Sequence, residues 1–158
     1  MLLFKRDTKK ILGLKNGGNE MNKFIQRVGT TYLPVNDIEK SSLWYQEMLG
    51  AVENFRNADK AILEFANQSF FLVKAKSEER AMFLDQYGSE HFFMTFEVNG
   101  LEQLRNFRLF LKERGVSVGD IEDRGHPGNN FVFFDLDGNK FDVWSELSPT
   151  FKEKYGIV

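Results

Sequence analysis

The stretch FVFFDLDGNKFDVWSEL, residues 131–147, holds two strand-like runs either side of Asp135-Leu136-Asp137-Gly138-Asn139. Asp, Asn and Gly in that order are a strong turn signal, and aromatic and β-branched residues favour the flanking strands, read here as Asn130–Phe134 and Lys140–Glu146. Moving upstream, a third run, Val116–Ile121, follows Gly115. Before that glycine lies a helix-like stretch, Leu101–Arg114, in which Leu104, Phe107, Phe110 and Leu111 share one apolar face. An extended run, Phe92–Val98, precedes the helix, so the unit reads strand, helix, then three strands.

The same unit occurs earlier in the chain. Val98-Asn99-Gly100-Leu101-Glu102 matches Val35-Asn36-Asp37-Ile38-Glu39, 63 residues before it. The first copy has an extended run Val28–Val35, a helix Glu39–Leu49 stopped by Gly50, and strands Ala51–Phe55, Ala61–Phe65 and Ser69–Lys74. Asp37 suits the N-cap of that helix, and Gly50 and Gly115 suit the left-handed position beyond a helix end. Ala66-Asn67-Gln68 closes the hairpin of the first copy. The fold class is therefore α+β, with two βαβββ modules, at about 25–74 and 91–147, joined by a charged, partly helical connector at 75–90. Ser148-Pro149 reads as an N-cap and N1 pair for a short terminal helix within 148–158, closing near Gly156.

Two segments carry a family resemblance. TTYLPVNDIEKSSLWYQEMLGA at 30–51 looks like the opening of a glyoxalase-like module, and FVFFDLDGNKFDVWSEL is similar to the closing hairpin of such a module. The chain thus resembles the glyoxalase/bleomycin-resistance/dioxygenase (vicinal oxygen chelate) superfamily over about residues 25–147. The resemblance implies two modules whose curved mixed sheets form a half-barrel around a cavity, in a homodimer. It also implies metal ligands on the first and last strand of each module in the metalloenzyme members. Carried over residue by residue, those positions fall on Thr30, Phe71, Phe93 and Asp142. Only Asp142 is a good ligand, and a divalent ion needs three or more N or O donors. No cofactor is expected. A divalent metal, if present, calls for a rearranged site using Asp142 and His91.

Strand alternation defines the expected cavity wall. Residues i and i+2 share a face, which places Thr30 with Tyr32, Phe71 with Val73, Phe93 with Thr95 and Glu97, and Asp142 with Trp144 on the concave side. Met94, Phe96 and Val98 then pack beneath a helix. Such an aromatic box with one carboxylate and a few hydroxyls suits a flat or hydrophobic small molecule. Desolvation in that box favours the protonated form of Asp142, a condition for acid–base work; the plainer role is a hydrogen bond to Tyr32 or Thr30. His91 either joins Asp142 as ligand or acid–base partner, or sits inert at the strand entrance, the commoner fate of a lone histidine. His126, in the Gly- and Pro-marked loop Arg124–Asn130, either touches ligand or is a solvated turn residue. Arg124 either meets an anionic substrate or pairs with Asp123. Trp44 and Tyr45 are core or dimer-contact residues, and the charge run Lys74–Arg80 is solvated.

Composition removes several classes. A net charge of −2 argues against nucleic-acid binding, and the absence of cysteine removes thiolate chemistry and disulfides. This fits a reducing cytoplasm. No apolar run is long enough to span a membrane, and the 17 Phe give core and pocket an aromatic character. Residues 1–20 are basic and unlike the rest. Gly17-Gly18 followed by Asn19-Glu20-Met21 can be encoded as purine-rich GGAGG just before ATG, so Met21 reads as the natural start and 1–20 as a translated ribosome-binding region. The rival reading is a flexible basic arm.

The leading functional expectation is a metal-independent, bleomycin-resistance-like binder of a hydrophobic or aromatic compound. The expected ligand contacts are Thr30, Tyr32, Phe71, Phe93, Thr95, Arg124, His126 and Trp144. The alternative is a lyase, isomerase or dioxygenase of the same superfamily using Asp142 and His91. A purely structural or protein-interaction role is the third, because large mixed residues are unusual in a sealed core.

Overall fold

A computed structural model describes residues 24–158, so the reading of 1–20 as a leader and of Met21 as the start lies outside the described residues. The first module runs β1 (Thr30–Val35), α1 (Ile38–Leu49), β2 (Val52–Arg56), β3 (Lys60–Phe65) and β4 (Gln68–Lys74). Its sheet has the order β1-β4-β3-β2, with β1 parallel to β4 and the remaining pairs antiparallel. Asp37 caps α1 by accepting from the Lys40 amide at 3.0 Å, and Gly50 ends it at φ +67°. Both follow from side-chain chemistry: a short carboxylate satisfies a free helix amide, and glycine takes a left-handed turn without a Cβ clash.

After the connector, β7 (Thr95–Glu97), α2 (Leu101–Glu113), β8 (Asn130–Phe134) and β9 (Lys140–Trp144) repeat the pattern. Here too the first strand pairs parallel with the last, in the order β7-β9-β8. The chain is α+β with curved, unclosed mixed sheets.

Three local expectations need correction. The connector is not helical: β5 (Phe83–Leu84) and β6 (Glu90–His91) pair antiparallel around a turn held by Asp85. Its Oδ1 accepts from the Tyr87 and Ser89 amides at 2.8 and 3.0 Å, a local alternative to helix that Asp side chains offer. Val116–Ile121 is not a continuous strand. It meets β8 at one isolated bridge, Val118 with Phe133; a second, Glu122 with Asn130, lies just beyond its end, and one extra residue on this side breaks the ladder between them. Ser148 precedes α3 (Pro149–Tyr155) but makes no side-chain cap; its hydroxyl and amide both donate to the Glu97 carboxylate.

The core is aromatic and continuous between modules. Phe65 stacks on Phe70 at 4.1 Å and Phe133 on Phe141 at 5.2 Å, while Phe96 lies within 5.9 Å of Phe65 and 5.5 Å of Phe141. Tyr45 is fully buried and Trp44 nearly so, which makes both core residues. The D-L-D-G-N hairpin does more than turn the chain. Asp135 Oδ2 accepts from the Tyr45 hydroxyl at 2.6 Å and from Asn139 Nδ2 at 2.7 Å. Asn139 Nδ2 also donates to Pro34 O at 2.9 Å, and Asp137 accepts from the Asn36 amide at 2.9 Å. One hairpin of the second module thereby clasps the strand end and helix of the first.

The outer face of the first sheet is open. Tyr32, Phe71, Ile62 and Phe55 are register partners across all four strands and form one apolar row, with Tyr32 62% exposed. Tyr32 meets Phe71 edge-on at 5.3 Å.

Candidate functional site

The site is built on the second module. Register sets Thr95 of β7 and Val132 of β8 opposite Asp142 of the central strand β9. Alternation buries Phe141 and Val143 in the core and turns Asp142 and Trp144 to the other face. On that face lies a cavity of about 650 Å³, walled by Thr95, Asn130, Asp142 and Trp144. The loop before β8 supplies Arg124, His126 and Pro127, and Phe92, Glu97, Glu146, Leu147 and Pro149 complete the lining.

Asp142 is 2% exposed and fully engaged. Oδ1 accepts from Arg124 Nη1 at 3.0 Å; Oδ2 accepts from Thr95 Oγ1 at 3.0 Å and Asn130 Nδ2 at 2.9 Å. Arg124 Nε donates to Glu122 at 2.8 Å, and its guanidinium lies 5.4 Å from the Phe92 ring centre. Buried charge without partners is costly, so this network is what allows a carboxylate at this depth. The loop is tied back at its tip: Trp144 Nε1 donates to Pro127 O at 2.8 Å, and the His126 ring meets Trp144 edge-on at 5.8 Å. Gly128, at φ +79°, passes so close to Trp144 that a Cβ there would stand 2.8 Å from its Nε1.

Of the residues singled out from the sequence, Thr95, Arg124, His126, Asp142 and Trp144 come together at this cavity. Thr30, Tyr32, Phe71, Phe93 and His91 do not line it. Thr30, Tyr32 and Phe71 belong to the separate β1–β4 pair, and Tyr32 and Phe71 lie on the open face of the first sheet. Phe93 precedes β7, which starts only at Thr95, and is 42% exposed. His91 is on β6, stacked on Phe83 at 5.0 Å with Nδ1 against Phe92 O. The partners of Asp142 are therefore Thr95, Asn130 and Arg124 rather than Tyr32 or Thr30, and those of Arg124 are Glu122 and Asp142 rather than Asp123. Met94 and Phe96 pack against the core as expected, and both also edge a second cavity of about 500 Å³ that shares Thr95, Glu97 and Leu147. Sequence reasoning missed Asn130, Glu146 and Phe92. Asn130 was accessible in principle, since it shares strand parity with Val132 opposite Asp142.

The family model described as Glyoxalase/Bleomycin resistance protein/Dioxygenase superfamily matches residues 25–143. The chain belongs to that superfamily. No curated protein matches it in sequence. Among solved structures, the superfamily chain is similar to the fosfomycin resistance protein FosX from Listeria monocytogenes, at TM-score 0.65 and 17% identity, covering 78% of this chain and 95% of that one. It is also similar to lactoylglutathione lyase from Agrobacterium tumefaciens, at 0.61 and 13%, covering 77% and 95%. A glyoxalase/bleomycin resistance protein/dioxygenase from Alicyclobacillus acidocaldarius matches at 0.57 and 17%, covering 75% and 89%. At these identities the likeness concerns the fold.

FosX has been solved with Mn(II) and sulfate, which raises the question whether this member could hold a metal at the same place. The donor set does not fit. Two of the four positions are phenylalanines and one is a threonine, and Asp142 faces a guanidinium where a cation would bind. Among the described residues no three His, Cys, Asp or Glu side chains converge as ligands. No helix among the described residues is long and apolar enough to cross a membrane.

Proposed function

We propose that this superfamily member binds or sequesters a small hydrophobic or aromatic compound in the Asp142 cavity, without a divalent metal, in the manner that the name bleomycin resistance suggests. The observation that carries this reading is the cavity itself: about 650 Å³, of drug-ligand size, walled by Phe92, Trp144 and His126 around one anchored polar cluster. The Arg124–Asp142 pair supports metal independence, because it places a fixed positive group beside the only acidic family position. We also propose a cytoplasmic homodimer. The apolar row Tyr32–Phe71–Ile62–Phe55 supports the dimer, since a monomer rarely leaves such a face bare. The competing reading, a lyase, isomerase or dioxygenase using Asp142 with His91, has less support, because His91 is packed on Phe83 and is not on the cavity wall.

Metal analysis of the purified protein, followed by a thermal-shift screen of aromatic compounds and divalent ions, separates the two. Sequestration predicts substoichiometric metal and a melting temperature raised by aromatic compounds alone, since a ligand of the native state stabilises it. A stoichiometric bound metal, or turnover of a screened compound, overturns it.

A further inference from the structure

Resting on the reading that the cavity binds a small molecule, we infer that its ligand is an organic cation: an aromatic or hydrophobic body bearing a protonated amine or amidine. The polar groups on the wall differ in how far the protein itself satisfies them. The polar groups at the centre of the wall are bonded to one another or to the loop, and Arg124 keeps N–H capacity on its guanidinium beyond these bonds. Arg124 gives Nε to Glu122 and Nη1 to Asp142, Thr95 gives its hydroxyl to Asp142, and Trp144 gives its indole N–H to Pro127 O.

Acceptor capacity on the wall is also left over. Asn130 is 3% exposed, and its Oδ1 is buried without a partner. Its orientation is not free to swap: Nδ2 donates to Asp142 Oδ2 at 2.9 Å, and a flipped amide would set oxygen against carboxylate. Glu146, on the same wall, makes no hydrogen bond or ion pair among the described residues. The lining holds three carboxylates, Glu97, Asp142 and Glu146, against the single guanidinium of Arg124, which Glu122 shares. An anionic ligand would meet two negative charges in excess. A cation meets carboxylate charge, the free carboxylate of Glu146 above all, and the aromatic rings of Phe92 and Trp144, which attract positive charge.

Calorimetric titration of the full chain with three size-matched probes, naphthylmethylammonium, naphthylmethanol and naphthoate, tests this near neutral pH. The ammonium should bind about tenfold tighter than the alcohol, and the naphthoate weakest. Glu146→Gln should remove most of the preference for the ammonium, read as the ratio of ammonium to alcohol affinity in the variant against the same ratio in the wild type. Equal binding of all three, or a preference for naphthoate, overturns the cation assignment and leaves the small-molecule reading standing. Retention of the full preference in Glu146→Gln overturns it as well. If none of the three binds, the small-molecule reading falls and takes the cation assignment with it.

Discussion

Arg124 Nη1 donates to Asp142 Oδ1 at 3.0 Å, and this pair joins the loop before β8 to the central strand of the second sheet. Asp142 is all but sealed, while Arg124 keeps about a quarter of its side chain in solvent. Removing the guanidinium strands a buried carboxylate. Arg124→Met should cost about 3 kcal/mol of unfolding free energy, near the lower end for a broken buried pair. Combining it with Asp142→Asn should recover part of that loss, because the amide carries no charge to strand. Urea denaturation of the single and double variants reads this directly, and additive losses would contradict the coupling.

The Tyr45–Asp135 hydrogen bond, at 2.6 Å and fully buried, ties α1 to the closing hairpin of the other module. Burial, and then the charge of Asp135, push the Tyr45 phenol well above its ordinary range, so it remains a neutral donor. Tyr45→Phe keeps the ring packing and deletes one donor to a buried carboxyl. It should cost about 1–3 kcal/mol, measured by denaturation with an unchanged m-value. A neutral effect would mean that the clasp contributes nothing.

Much of the fold was legible because it rests on local chemistry. The Asp37 cap, the Gly50 stop and the D-L-D-G-N turn each depend on a few adjacent residues, and the 63-residue repeat located the modules. The connector was misread because Asp85 can satisfy a turn's amides as readily as a charged run can form a helix. The Val116–Ile121 strand was lost to one extra residue, which periodicity cannot see. At the site, alternation correctly put Thr95, Asp142 and Trp144 on one face. It could not show that the two modules present separate sheet faces, so Thr30, Tyr32 and Phe71 were assigned to a wall they do not line. Nor could it reveal that Arg124 folds back onto Asp142 rather than pairing with its neighbour Asp123, since that depends on loop geometry.

Asp135 gives the clasp a pH dependence. Burial raises its carboxyl above the ordinary value of 3.8, against the opposing hydrogen bonds from Tyr45 and Asn139. The folded state therefore holds this proton to higher pH than the unfolded state, and its contribution to stability declines as pH rises through that window. Above the raised folded value the contribution is constant. The difference in unfolding free energy between wild type and Asp135→Asn, followed from about pH 3.5 to 7, should shift against the wild type as pH rises. Parallel curves would contradict the burial argument.

Two glycines of the mouth loop make a matched pair. Gly128 and Gly125 have φ of +79° and +78°, but a Cβ at Gly128 would stand 2.6–2.8 Å from Glu146, Ser145 and Trp144, whereas at Gly125 it meets nothing within 4 Å. Both Ala variants carry backbone strain of about 1–3 kcal/mol. Only Gly128→Ala should also weaken binding of an aryl probe, because it displaces the Trp144 wall. Equal affinities for the two variants, by calorimetry, would contradict the placement of Trp144 in the site.

The chain contains two tryptophans, Trp44 nearly buried in the core and Trp144 on the cavity wall, so a nitrogen-labelled sample has two indole N–H signals that report core and site separately. Titration with naphthylmethylammonium, monitored by heteronuclear NMR, should move one of them and leave the other in place. The moving signal should be the one missing from Trp144→Phe. Movement of the Trp44 signal alone, or of neither while binding is seen by calorimetry, would contradict the assignment of the Asp142–Trp144 cavity as the ligand site.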